Sequence, residues 1–145
     1  MLNYFKINNR VFFILLFFIA ANQFSYSQTS YFESNTCKCP TATVGDTELI
    51  DGVTYTVVDN TSIITQVAAA NYNLCTTQVT NMVGLFQNNT AFNTDIGFWD
   101  TSSVTTMDNM FDSATSFNNG ENSNINNWDT SSVTSMSNMF KAASV

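Results

Sequence analysis

Internal repetition constrains this chain more than any other feature. The segment WDTSSVTTMDNMFDSATSFN (Trp99 to Asn118) recurs as WDTSSVTSMSNMFKAASV (Trp128 to Val145), an offset of 128 − 99 = 29 residues. A diverged copy, LCTTQVTNMVGLFQNNTAFN (Leu74 to Asn93), lies 104 − 79 = 25 residues upstream. It places Val79, Met82, Leu85, Phe86 and Phe92 on Val104, Met107, Met110, Phe111 and Phe117. The extra residues of the second interval fall in NNGENSNINN (Asn118 to Asn127), a polar loop. A unit this short cannot bury its own apolar side and must stack on its neighbours.

Within a unit Val104, Met107, Met110, Phe111, Ala114 and Phe117 are spaced 3, 3, 1, 3 and 3. That spacing predicts a short strand at Val79, Val104 and Val133, then one or two turns of helix. The expected fold class is an α/β repeat solenoid, with units at 74–98, 99–127 and an incomplete 128–145. Met and Phe recurring in register read as core, and Trp99 and Trp128 as corners between units rather than sugar-stacking platforms. Asp100 and Asp129, each before Thr-Ser-Ser, suit Asx turns. Residues 39–73 do not repeat and read as an amino-terminal cap. Asp51-Gly52 sits between β-branched arms, a hairpin signal. Asp59-Asn60 then starts a helix carrying Ile63, Ile64, Val67 and Ala68.

Residues 1–27 have the order of a secretory signal: Lys6 and Arg10, an apolar run VFFILLFFIAA, then Ser25 and Ser27 before a cut at Gln28. That run is shorter than the roughly 20 residues of a spanning helix, so no membrane span is expected after cleavage. Residues 28–38 read as a polar lead segment. Without the signal, Lys38 and Lys141 face 11 carboxylates, a net charge of 2 − 11 = −9. So acidic a surface repels nucleic acid.

The chain contains no His, which removes Ser-His and Cys-His nucleophile couples and the imidazole ligands of most catalytic zinc sites. No catalytic residue, cofactor or metal site is assigned. The carboxylates Asp95, Asp100, Asp108, Asp112 and Asp129 lack the dense pattern of an EF-hand loop. In an oxidising compartment three cysteines leave one unpaired. Cys37 and Cys39 are too close for an easy mutual bridge, so Cys75 pairs with one of them. Cys39, at the start of the ordered region, is favoured.

The motif W-D-T-S-S-V-T-x-M-x-x-M-F-x-x-A, followed by Phe-Asn (Phe92-Asn93, Phe117-Asn118), resembles the BspA-like leucine-rich-repeat surface proteins of bacteria over roughly residues 39–145. VGDTELIDGVTYTVVD (Val44 to Asp59) is similar to the segment preceding such repeats. The resemblance implies a leucine-rich-repeat-like solenoid in a secreted or cell-surface protein whose repeats adhere to protein or glycan. By the same pattern the chain reads as the amino-terminal fragment of a longer gene product. If the apolar set faces inward, Thr105, Thr106, Asp108 and Asn109 form an exposed, ligand-facing set that recurs at Thr134, Ser135, Ser137 and Asn138. The competing expectation is a structural spacer presenting a further carboxy-terminal domain.

Overall fold

The computed structural model describes residues 29–143, so the export segment read at 1–27 lies outside the described residues. Two short hairpins open the fold. The first pairs β1 (Tyr31–Glu33) with β2 (Thr36–Lys38). The second pairs β3 (Thr47–Ile50) with β4 (Val53–Val57) through Asp51 and Gly52, whose φ angles of 50° and 82° supply the two left-handed residues that a tight I′-type turn needs. β5 (Leu74–Cys75) joins β4 in parallel, giving a mixed sheet of order β3-β4-β5.

Between β4 and β5 lies the one α-helix of the described residues, α1 (Ser62–Ala68). Asp59 fixes its start: Oδ1 accepts hydrogen bonds from the backbone N–H groups of Thr61 (3.0 Å) and Ser62 (2.8 Å), while the Asp59 N–H donates to Ser62 Oγ (2.9 Å). Ile63 and Val67, one turn apart, bury against Leu74, Val79, Met82 and Phe86 of the first repeat.

The three repeats stack, but not as an α/β leucine-rich-repeat solenoid, and that expectation is corrected. The described residues form a small β-rich domain with one antiparallel and one mixed sheet and a single α-helix. The predicted strands shrink to single bridging residues, Asn81, Thr106 and Ser135, joined in parallel. The predicted repeat helices are runs of tight turns. Left-handed residues at matching positions explain why: Gly84, Asn109 and Asn138 (φ 62°, 55° and 56°), then Asn88, Ser113 and Ala142 (φ 61°, 62° and 55°). A left-handed residue every fourth position interrupts a right-handed helix. The N–H groups then alternate. Those of Met110, Asp112 and Ala114 close turns onto Met107, Asn109 and Phe111, whereas Met107, Asn109, Phe111 and Ser113 donate across to Ser135, Ser137, Met139 and Lys141. The first repeat treats the second identically, with Met82, Gly84, Phe86 and Asn88 donating to Thr106, Asp108, Met110 and Asp112.

This geometry keeps the apolar register while changing the secondary structure. Val104, Met107, Met110, Phe111, Ala114 and Phe117 are all buried. Phe86, Phe111 and Phe140 form one ladder of nearly parallel rings, with centroid spacings of 5.4 and 5.3 Å. Phe92 and Phe117, 5.5 Å apart, run beside it. Trp99 is buried, its indole N–H donating to the Tyr72 carbonyl at 3.0 Å, so its ring face is not open to a sugar.

Candidate functional site

The rows of equivalent polar residues outside the core are the feature most suited to recognition. Thr80, Thr105 and Thr134 are exposed and stand in one row. Each is tied to its predecessor: the N–H and Oγ1 of Thr105 donate to the Thr80 carbonyl (2.8 and 3.0 Å), and those of Thr134 donate likewise to Thr105 (2.8 and 3.0 Å). Thr106 and Ser135 are the half-buried bridging residues. Asp108 is half-buried and accepts from Ser135 Oγ and from the Ser137 N–H (2.6 Å). Asn109, Ser137 and Asn138 complete the strip, Ser137 and Asn138 exposed.

The eight residues expected to face a ligand thus lie along the stacked repeats, but much of their donor capacity is spent on one another. The hydroxyls of Thr105, Thr134 and Ser135 donate within the ladder, which leaves mainly their free lone pairs, the Asn side chains and the Ser137 hydroxyl for a partner.

Elsewhere in the fold there is a polar knot that spacing along the chain does not reveal. Lys38 Nζ meets Asp100 Oδ1 at 2.9 Å across 62 positions of sequence, and Asp100 Oδ1 also accepts from the Ser102 hydroxyl and N–H. Burial pushes the Asp100 carboxyl up, but the Lys38 ammonium and the Ser102 donors outweigh it and hold the group below the usual carboxylate range. A folded-state value below the unfolded one contributes stability above the unfolded value, lost as pH falls through the folded one. Asp100→Asn is therefore expected to lower stability at pH 7 by about 1 to 3 kcal/mol. It should also flatten the loss between pH 7 and pH 3; urea unfolding of both proteins at the two pH values is the check.

The described part of the lead segment, residues 29–38, contributes to the packing. Cys37 is fully buried, its N–H donates to the Phe98 carbonyl at 2.8 Å, and Phe32 packs edge-on against Tyr55 at 5.3 Å. Cys39 and Cys75 form a disulfide joining the start of the fold to β5. The remaining thiol is an unreactive one: burial first, then the Asp100 charge, pushes Cys37 up to about 12.

Asn60 is a capping residue that the sequence pattern missed. Its Oδ1 accepts from the N–H groups of Thr80 (2.8 Å) and Asn81 (3.1 Å), and its Nδ2 donates to Thr80 Oγ1 (2.9 Å). It does for the first repeat what the Thr80 carbonyl does for Thr105, so a side-chain amide stands in for a preceding unit. The nearest signal was Asp59-Asn60 itself, read only as a helix start.

The carboxylates considered for calcium are dispersed into separate turns: Asp95 accepts from Asn119 and Asn122, Asp112 from Gln87 and Ser113, and Asp129 from the Ser131 N–H. Among the described residues no three His, Cys, Asp or Glu side chains gather to hold a metal ion, and no helix is long and apolar enough to cross a membrane.

The fold and its rows define a β-rich tandem-repeat domain. The chain belongs to the DUF285 family, described as Mycoplasma protein of unknown function, whose model matches residues 55–145. This is a bacterial surface-protein family, and the match is to it rather than to the BspA-like leucine-rich-repeat proteins specifically. No curated protein and no solved structure matches the chain.

Proposed function

We propose that this is an exported, non-catalytic adhesion domain whose polar rows contact an extended protein or glycan outside the cell. The supporting observation is the row of exposed hydroxyl side chains at Thr80, Thr105 and Thr134, fixed by backbone bonds between repeats, with Ser137 and Asn138 exposed beside it in the third repeat. The BspA-like character of the WDTSSVT and MF elements and the surface-protein family agree with it. A regular row makes the same weak hydrogen bond many times, so strength comes from repeat number.

The test uses immobilised collagen, fibronectin and mucin, probed with the chain and with two copies linked in tandem. The single chain binds weakly and the linked pair at least ~10²-fold more tightly. Thr105→Lys with Thr134→Lys, which place charge and bulk on the row without touching the core, abolish binding. One observation favours a spacer instead, namely the consumption of the row's hydroxyl protons inside the ladder. Absence of binding by both single and linked chains selects that reading, and turnover of any probe rejects both.

A further inference from the structure

The first repeat turns one polar side of its backbone toward the amino-terminal cap. Met82, Gly84, Phe86 and Asn88 donate their N–H groups to Thr106, Asp108, Met110 and Asp112 of the second repeat. A planar trans peptide points its C=O opposite to its N–H, so the carbonyls of Asn81, Val83, Leu85 and Gln87 point the other way, toward the cap. Among the described residues no N–H or hydroxyl donates to these four, and Asn60 engages only the N–H groups of Thr80 and Asn81 and the Thr80 hydroxyl. Peptide dipoles aligned in one sense add, as they do along a helix, and the cap side of the stack is the electronegative one.

A groove of about 510 Å³ opens at this side, between α1 and the first repeat. Val83, Leu85 and Gln87 line one wall and Ile64, Ala68 and Ala70 the other, with Ile64 62% and Val83 47% exposed. Ala68 and Ala70 stand at the carboxy-terminal end of α1, whose last turn holds no basic residue, so the helix turns its own carbonyl end to the groove uncompensated. No charged side chain lines the groove. The two cations of the described residues are engaged or distant: Lys38 is paired with Asp100, and Lys141 belongs to the third repeat. Without residues 1–27 the chain carries a net charge of −9.

We propose that this groove docks an extended basic segment of a partner protein, in which Arg alternates with apolar residues. Charge complementarity selects the sign, since a row of free carbonyls on an acidic chain attracts a cation that donates hydrogen bonds. A guanidinium has five N–H donors and no acceptor, which matches a wall that offers acceptors only. Its aliphatic stem covers Ile64 and Val83 while its head reaches the carbonyls. The free carbonyls recur at every second residue, the period of side chains on one face of an extended segment. A divalent cation is a poorer occupant, because it prefers carboxylate ligands and would leave the apolar walls bare. The inference does not depend on what the polar rows bind.

The experiment is isothermal titration of the full chain, produced in an exporting host, with a short end-blocked peptide of alternating Arg and Leu. A peptide of alternating Glu and Leu and calcium chloride alone are the comparison probes. The Arg peptide binds, and more weakly as salt rises from low concentration to about 0.15 M, where the Debye length is about 8 Å. Val83→Trp fills the groove without altering charge and weakens binding at least about tenfold, or about 1.4 kcal/mol. Leu49→Trp, the same kind of change at a site 69% exposed on β3, binds as the wild-type chain does. Circular dichroism confirms that each variant folds, and Ile64→Trp replaces Val83→Trp if the latter does not. Equal binding of the Arg peptide by wild type and Val83→Trp overturns the proposal, because the attraction is then to the acidic surface at large. So does equal binding of the Glu peptide, displacement of the Arg peptide by calcium in excess of the salt effect, or no binding of the Arg peptide up to about 1 mM.

Discussion

Phe111→Ala is expected to cost about 3 to 5 kcal/mol, the range for deleting a fully buried aromatic ring. Phe111 is 0% exposed and stands where the two ring ladders meet. It stacks on Phe117 at 3.9 Å with planes 6° apart, on Phe86 at 5.4 Å and on Phe140 at 5.3 Å. Removing the ring leaves a cavity bordered by all three repeats. The tight turns on either side cannot collapse into it, because their N–H groups are bonded to the adjacent repeats. Asn124→Ala is the control: it lies in the 3-10 turn at 123–127, none of whose residues is buried. Its loss should stay within about 0.5 kcal/mol. Chemical denaturation of both variants measures the difference, and a reversed order would mean that the repeats are out of register.

The Phe111 prediction follows from sequence almost unaided, and the reason is physical. A repeat copies its buried positions, so aligning Trp99 to Asn118 with Trp128 to Val145 exposes the stripe Val104, Met107, Met110, Phe111 whatever backbone carries it. The backbone itself is ambiguous. Apolar residues at intervals of three and four mark one face of a helix, but the same intervals arise when successive tight turns send every second N–H to the next repeat. The left-handed residues that decide between them were only half visible: Gly84, Asn88, Asn109 and Asn138 tolerate that conformation, whereas Ser113 and Ala142 carry no such signal. The Asp51-Gly52 hairpin was legible because its turn needs two positive φ angles and shows two residues suited to them. The Lys38 to Asp100 pair and the role of Asn60 were not, since nothing local relates residues 62 or 20 positions apart. For the candidate site, exposure of the Thr105 and Thr134 rows could be read from the pattern, but not that their hydroxyls would turn along the stack.

Loss of the Cys39 to Cys75 bridge is expected to lower stability by about 4 kcal/mol, from the entropy returned to the unfolded chain when a loop of this length is opened. The linked residues are 36 apart, and between them lie both strands of the second hairpin and α1. The bridge therefore ties the cap to the strand that begins the first repeat. Both cysteines are 0% exposed, so replacing them also disturbs packing against Val57 and Ala42. Cys39→Ser with Cys75→Ser is compared with the wild-type chain in urea, with and without reductant. Reductant should shift the wild-type midpoint down toward that of the double variant and leave the variant unmoved. Cys37→Ser should leave the reductant response intact, because a thiol held near 12 and buried away from solvent exchanges slowly with the bridge. Equal stability of the oxidised wild-type chain and the double variant would refute a stabilising bridge. A reductant response that vanished in Cys37→Ser would show that Cys37 forms the bonded pair in solution.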